Sequence, residues 1–428
     1  MIRYLVGVSL GYFMVLLDMT VLAVAEPDLA ASLETSVAGL QWATTAYTVV
    51  FGASLLSAGA VSDRYGAHRV FRAGVSAFGA LSLLSALAPT LPALVGLRAV
   101  LGAAAAACLP SSMAIIARLY PDPPRRARAL ATWAAVSGAA VAAGPIAGGA
   151  LVDLAGWRAI FLVNVPITLL VLSLVRGAAI TCPAGERRID WRAQLTAVAV
   201  LALLTNTVVA AGSRAWAHAA ASGAVTLAAA GLFAAFERHS PAPVLHRGLL
   251  AGRGVRAGLA AGAAVTFTLN GILFVLPLLL RDQHLGATAT GLAFLPMTLP
   301  FVLNPPLTGR LVARFGPRPP ILAGLALLVA GSLALAAGWL PAGLLLAGLG
   351  VSFVLPALAA AVVAAAPEGT AGAAGGLLNS VRQVGATLGV AAMGALVTTG
   401  PALPLLLAAA VCAVAAAGFL QPAGARLR

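Results

Sequence analysis

Lysine is absent from this chain, acidic residues number twelve, and charged residues of every kind make up 9% of its 428 positions. A water-soluble domain carries about 25% charged residues, so a soluble fold is excluded. Aromatics are scarce at 6% and histidines number five. No His-rich metal spacing and no Ser/His/Asp grouping lies within the apolar segments, which argues against an enzyme. Cys108, Cys182 and Cys412 are scattered, without paired spacing or His neighbours. They indicate neither a disulfide framework nor a zinc site and read as small buried residues.

What the chain does contain is apolar: 61% hydrophobic residues with 46 Gly and 26 Pro, and a mean hydropathy of +1.00. The reading is an all-α polytopic membrane protein. The start runs straight into the first apolar span without a small-residue cleavage site, so it is expected to be retained as a membrane helix. The formal charge of +14 comes from twenty-six Arg. A nucleic-acid reader clusters its Arg on one face, whereas here they recur in short segments after every second span, so no nucleic-acid partner is expected.

A helix needs about 20 mostly apolar residues to cross a hydrocarbon core of about 30 Å. Fourteen segments qualify, among them 5–25, 39–61, 69–88, 158–176 and 288–311. The weakest pair is 192–211 with 217–236, whose Ala-rich stretches are only mildly hydrophobic; without both, twelve remain. With the N-terminus inside, twenty-one of the twenty-six Arg fall in cytoplasmic segments, including Arg187, Arg188, Arg247, Arg426 and Arg428. Arg158, Arg214 and Arg281 are outside, and Arg98 and Arg382 lie within spans. This asymmetry predicts a multi-pass protein of the cell (inner) membrane with both termini cytoplasmic. The longest connections, 177–191 and 237–255, are too short for a soluble domain.

An internal repeat is visible. Gly59–His68 reads GAVSDRYGAH and Gly309–Arg318 reads GRLVARFGPR, with Gly, Arg, aromatic and Gly at the same offsets. The expected organisation is therefore an N-terminal six-helix half at 1–176, two inserted helices with cytoplasmic loops at 177–255, and a C-terminal six-helix half at 256–428. Parallel halves of this kind are expected of transporters that rock around a central site.

Five segments resemble signatures of the major facilitator superfamily and, within it, of the fourteen-helix drug:proton antiporter branch. LDMTVLAVAEP at 17–27 resembles that branch's first-helix signature, matching at Asp18 and Thr20, while Ala23 and Glu26 depart from it. GAVSDRYGAHR at 59–69 resembles the superfamily's loop signature, in which Asp63 and Arg64 form a charge relay. LRAVLG at 97–102 resembles the fourth-helix signature with its intramembrane Arg98, Leu101 standing in place of Gln. GAAVAAGPIAGG at 138–149 resembles the fifth-helix signature of exporters, and GWRAIFLVNVP at 156–166 continues it. LNSVRQVGATLGVA at 378–391 resembles helix 13 of the branch. The resemblance implies a major facilitator fold of fourteen helices and export of small amphipathic organic molecules or drugs in exchange for protons. The proton is the coupling ion and no other cofactor or metal is implied.

The residues carry their own physical reading. Asp18 lies about 13 residues, or roughly 20 Å, along the first span. An ionised carboxylate at that depth costs at least about 2.5 kcal/mol, so it needs a partner or a proton. Asp18 is the candidate proton carrier; a permanent hydrogen bond to a neighbouring helix is the alternative. Glu26 flanks the outer mouth, where a solvated role and a proton-coupling role both fit. Arg98 can tune Asp18, hold an anionic substrate, or bind backbone carbonyls.

Asn379, Arg382 and Gln383 fall at i, i+3 and i+4, on one face of their helix. They are expected to face the cavity or the inner gate. Asn270 and Asn304 are secondary substrate candidates, with interhelical hydrogen bonding the competing reading. Gly144 and Gly148 form a small-xxx-small pair around Pro145, which favours close approach and bending. Asp63, Arg64 and, in the second repeat, Arg314 are expected to gate at helix ends, with Ala313 replacing the second acid. The partners expected are a small-molecule substrate and the lipid bilayer, and the chain is expected to act as a monomer. A proton-driven importer and a non-transporting membrane sensor on the same fold remain the alternatives.

Overall fold

The computed structural model describes residues 1–177, 181–182, 190–240, 252–280, 286–366 and 371–420. Arg187, Arg188, Arg247, Arg281, Arg426 and Arg428 lie outside the described residues, as do most of the connections 177–191 and 237–255.

The described residues form seventeen helices and no strand. They are α1 Ile2–Ser32, α2 Val37–Tyr65, α3 Ala67–Ala86, α4 Leu91–Leu119, α5 Pro123–Ala155, α6 Ala159–Leu162, α7 Asn164–Leu174, α8 Trp191–Gly212 and α9 Trp216–His239. There follow α10 Arg253–Leu280, α11 Ala287–Ala293, α12 Leu295–Leu303, α13 Pro305–Phe315, α14 Arg318–Ala336, α15 Leu340–Ala365, α16 Ala371–Val397 and α17 Ala402–Leu420. Among the described residues ten helices are long and apolar enough to cross a bilayer, or eleven if α2, bent by 60° near residue 56, is one span. The chain is thus polytopic.

Span 69–88 falls on one continuous helix, α3, with Arg69 and Arg72 in its first two turns, whereas two other expected spans are broken. Span 158–176 is broken into α6 and α7 at Val163. Span 288–311 is divided into α11, α12 and α13 at Phe294 and Asn304. Proline explains the breaks in both spans, since Pro166, Pro296, Pro305 and Pro306 each lack the amide that would continue the ladder.

Helix ends follow local chemistry. Ser36 caps α2 by accepting from Gly39 N at 3.4 Å, and Asp122 caps α5 by accepting from Arg125 N at 3.2 Å. Asp190 accepts from Arg192 N and Ala193 N, both at 3.0 Å, at the start of α8. The Ser240 hydroxyl, with those amides, holds its carboxyl below the usual aspartate range. Gly66 after α2 and Gly316 after α13 end their helices at φ 86° and 78°, a region L side chains rarely adopt. These glycines occupy equivalent positions of the sequence repeat. Beside each, an Arg lies against its aromatic neighbour: Arg64 is 5.6 Å from the Tyr65 ring centroid and Arg314 is 5.1 Å from that of Phe315.

Contacts group the chain into two compact units, a different matter from the sequence halves 1–176 and 256–428. One is Met1–Leu203 with Ala224–Val244 and Leu280–Leu292; the other is Leu204–Gly223 with Leu245–Leu279 and Ala293–Arg428. In the first, Tyr12 stacks on Trp133 at 4.9 Å, and Phe71, Val75 and Phe78 of α3 are buried among α1, α4 and α7 side chains. In the second, glycines bring backbones together: a Cβ at Gly331 would lie 2.7 Å from Ala347 N, and one at Gly350 would lie 2.7 Å from Gly324 O. Small residues replace the hydrophobic drive that lipid removes, by letting backbones approach.

Candidate functional site

α1 is 31 residues long and enters the first unit with most of its surface covered. Asp18 and Glu26 lie eight residues apart on it, about 12 Å along the axis, and each is 1% exposed. Their surroundings differ.

Asp18 is held from two helices. Arg98 of α4, also 1% exposed, forms an ion pair with its Oδ2 through Nη1. Asn164, the first residue of α7, donates through Nδ2 to Oδ1 at 3.1 Å and lies 3.2 Å from Ser82 Oγ of α3. The guanidinium also donates from Nε to Ala43 O of α2 at 3.2 Å, and lies 4.7 Å from the Tyr47 ring centroid and 5.8 Å from that of Phe161. Tyr47 donates its hydroxyl to Val15 O at 3.3 Å. Gly102 on α4 gives the close approach this requires, because a Cβ there would meet the backbone of Tyr47 and lie 3.0 Å from Phe51 N. An ionised Asp18 therefore has a countercharge and two donors, and Arg98 has an acid, a carbonyl and two ring faces. Such complete pairing is what a buried charge pair needs to offset its desolvation.

Glu26, for which the sequence left a solvated role and a proton-coupling role open, is not solvated in this structure. Counting about 20 residues per span ended the first helix at Ala25, whereas α1 continues to Ser32 and packs Glu26 against α2. Thr44 donates to its Oε1 at 3.2 Å, while Oε2 is buried without a hydrogen-bond partner. Thr44 is the residue after Ala43, which receives Arg98, so both carboxyl sites abut one turn of α2. Asp28, two residues on, accepts from Trp157 N at 2.8 Å and fastens the end of α1 to the start of the α6 region.

α5 meets α1 on one side. A Cβ at Gly144 would collide with the Thr20 hydroxyl and lie 2.7 Å from Thr20 Cβ; one at Gly148 would lie 2.7 Å from Val21 O. Its other side meets α11: a Cβ at Gly149 would lie 2.8 Å from Thr288 Cα, and one at Gly291 would reach the Pro145 carbonyl. Asp153, near the end of α5, accepts from Ala287 N at 3.1 Å and Thr288 N at 2.8 Å, capping α11. Asp63 and Arg64 are exposed at the end of α2, and Arg314 is exposed at the end of α13.

The polar residues expected to face substrate lie in the second unit. Asn379 accepts from Arg382 Nη1 at 3.1 Å and donates to Gly375 O at 3.1 Å. Thr266 of α10 donates to Arg382 O at 2.6 Å, and Asn270 donates to Thr266 O at 3.0 Å. Asn270, Thr266, Arg382 and Asn379 thus form one connected α10–α16 polar line. Gln383 is buried with Oε1 unpartnered. Asn304 stands apart: its amide donates to Ser352 Oγ at 2.7 Å and Thr308 Oγ1 at 3.3 Å, an interhelical link at the α12–α13 break.

Sequence reasoning did not single out Asn164, Tyr47, Thr44 or Asp153. Asn164 lies inside the quoted GWRAIFLVNVP segment, and its signal was an amide in an otherwise apolar run.

The family model of the Major Facilitator Superfamily matches residues 8–265 and 257–426. The multidrug resistance protein Stp of Mycobacterium tuberculosis (strain CDC 1551 / Oshkosh) is 33% identical over 400 residues, covering 91% of this chain and 74% of its own length. The tetracenomycin C resistance and export protein of Streptomyces glaucescens is 31% identical over 410 residues, covering 92% and 76%. Among solved structures, a bacterial homolog of the human lysosomal transporter Spinster, inward-facing and unoccupied, superposes with a TM-score of 0.69 at 16% identity, over 97% of this chain and 95% of that one. At that identity the likeness is one of fold.

Proposed function

We propose that this chain, which belongs to the Major Facilitator Superfamily, exports small amphipathic organic molecules or drugs across the cell membrane in exchange for protons. The relatives' names as resistance and export proteins support export. One observation carries the coupling: α1 buries two carboxyls, one neutralised by an arginine and one not.

A buried charge with no counterion carries a penalty of several kcal/mol, and a carboxyl can avoid it by holding a proton. In the conformation described, Glu26 with its single donor matches the protonated acid, and Asp18 with Arg98 and Asn164 matches the anion. Opening of the α1–α2 seam to water allows Glu26 to release its proton to solvent, leaving a hydrated carboxylate; closure requires it to take one up again. Asp18 exchanges a proton only when Arg98 withdraws. Because Arg98 and Glu26 contact adjacent residues of α2, a shift of that turn changes both sites together.

On this reading Asn379, Arg382, Gln383 and Asn270 meet substrate, and Asn304 keeps a packing role. After Glu237 the sequence has only two acids, Asp282 and Glu368. The second half therefore offers Arg382 and amides rather than carboxylates, which suits neutral or anionic amphiphiles better than quaternary cations. Gly144, Pro145 and Gly148 serve as the packed joint on which α1 and α5 move, with Asp63, Arg64 and Arg314 at the gating ends. Fourteen spans with α3, α6–α7 and α11–α13 among them, cytoplasmic termini, a monomer, and the proton as sole coupling ion complete the proposal.

The test is proton counterflow in proteoliposomes driven by a gradient of tetracenomycin C, which we propose as a substrate of this chain because a 31% identical relative is named for its export. An antiporter moves protons against the substrate. Uptake along an inward proton gradient would establish the importer instead, and binding without flux would establish a sensor.

A further inference from the structure

The outward face of α3 carries a feature that the transport reading leaves unused. Phe71, Val75 and Phe78 turn into the first unit, leaving Arg69 and Arg72 exposed on the opposite side. α7 and α3 touch deep in the unit, where a Cβ at Gly79 would lie 2.6 Å from Thr168 Cγ2. Near the start of α3 and the end of α7 lies a cleft of roughly 470 Å³ with His68, Arg69, Arg72 and Arg176 in its wall and Ala73, Ser76 and Leu172 among them. Arg176 lies at the same end as the N-terminus, since Arg3 donates to its carbonyl at 3.3 Å.

Three guanidiniums share this cleft, and among the described residues no acid pairs with any of them; the ion pairs there are Asp18 with Arg98 and Asp122 with Arg125. Arg69 and Arg72 are three apart on one helix, where like charges repel. His68 accepts at Nδ1 from Cys182 N at 3.1 Å, which fixes its ring beside the cleft.

We propose that this cleft binds the phosphate of an anionic phospholipid, with Arg69, Arg72 and Arg176 as its clamp and Ala73 and Leu172 as the surface for the start of an acyl chain. Arginine presents several donors in a planar fork that matches phosphate oxygens. Basic pockets between membrane helices are suited to anionic headgroups. Apolar side chains just below the guanidiniums have no use for a free phosphate, but they reproduce the order of groups in a phospholipid, charge at the interface and hydrocarbon beneath it. The inference is independent of the transport reading, because it concerns a surface outside the α1 carboxyl sites.

The experiment counts lipids retained by the purified full chain in native mass spectrometry, with phosphatidylglycerol, phosphatidylcholine and inorganic phosphate added separately. Wild type is expected to retain phosphatidylglycerol in preference to phosphatidylcholine. Arg72→Gln/Arg176→Gln is expected to weaken that retention about thirty-fold, on the scale of two basic residues near an anionic surface. The milder Arg69→Gln is expected to weaken it about five-fold. Arg125→Gln/Arg128→Gln removes the same net charge from the exposed start of α5 and is expected to leave retention unchanged. Equal losses in both double variants would reduce the effect to overall charge and overturn the proposal. Displacement of the lipid by millimolar phosphate, or equal retention of phosphatidylcholine, would overturn it as well.

Discussion

Removing Arg98 while keeping Asp18 isolates the interaction on which the α1 site rests. Both side chains are 1% exposed, and the pair is joined directly. Arg98→Leu leaves Asp18 with Asn164 as its donor, and breaking a buried pair from one side costs about 3–5 kcal/mol. Proton uptake sets a ceiling on that figure. Neutralising an ordinary aspartic acid at pH 7 costs about 4 kcal/mol, and about 1.4 kcal/mol less for each unit the pH is lowered. The folded variant binds a proton that its unfolded form releases at pH 7, so its stability rises as pH falls through that range. The expected loss is therefore about 4 kcal/mol at pH 7 and about 1–2 kcal/mol at pH 5. Asp18→Asn/Arg98→Leu removes both charges and is expected to be less destabilised at pH 7 than the two single losses added together, by about 2 kcal/mol or more. The assay is reversible unfolding in mixed micelles at both pH values, followed by tryptophan fluorescence; Trp157 packs edge-on to Phe161, itself beside Arg98. Single costs that add within about 0.5 kcal/mol, or an Arg98→Leu loss equal at the two pH values, would refute the reasoning.

Further expectations concern the packed joint, the α12–α13 break and substrate choice. Gly144→Leu drives a side chain into Thr20; overpacking of this kind costs about 1–3 kcal/mol. It is expected to lower turnover more than substrate binding, so unchanged turnover in vesicles would count against a moving α1–α5 contact. Ser352→Ala leaves the Asn304 amide without its 2.7 Å acceptor. It is expected to destabilise by about 1–3 kcal/mol with little change in substrate affinity, whereas a large affinity loss would return Asn304 to the substrate site. Tetraphenylphosphonium, a lipophilic cation, is expected to compete poorly with tetracenomycin C; strong competition would contradict the preference drawn from Arg382 and the scarcity of second-half carboxylates.

Much of the architecture was legible because bilayer physics leaves few choices: long Ala- and Leu-rich runs must be helical, and Arg between them must lie outside the hydrocarbon. The repeat was equally open to reading, and Gly66 and Gly316 both take the positive φ that a glycine at a helix end permits. Breaks inside spans were harder. Residues 158–176 and 288–311 are predominantly apolar, and hydropathy does not register where a proline interrupts the ladder, as near Val163 and Asn304. The length of α1 was also harder to read. Glu26 looked peripheral because a span was counted at its minimum length, while α1 extends to Ser32 and α2 covers it. Asn164 escaped notice because an isolated amide in an apolar segment says nothing about which helix it will face. That Asp18 and Arg98 meet was one of several readings of two intramembrane charges; the α2–α4 approach at Gly102 sets Arg98 against Ala43 and Tyr47 beside α1, and close approach of two backbones is not encoded in either segment alone.

The most direct measurement of the coupling claim is proton movement driven by a tetracenomycin C gradient in proteoliposomes of wild type and Glu26→Gln, with unlabelled-for-labelled substrate exchange recorded in parallel. Wild type is predicted to move protons against substrate. Glu26→Gln is predicted to retain substrate exchange and lose proton movement, because a permanently neutral amide at that buried position satisfies the closed state without a proton. Proton counterflow of wild-type size in Glu26→Gln would contradict the account.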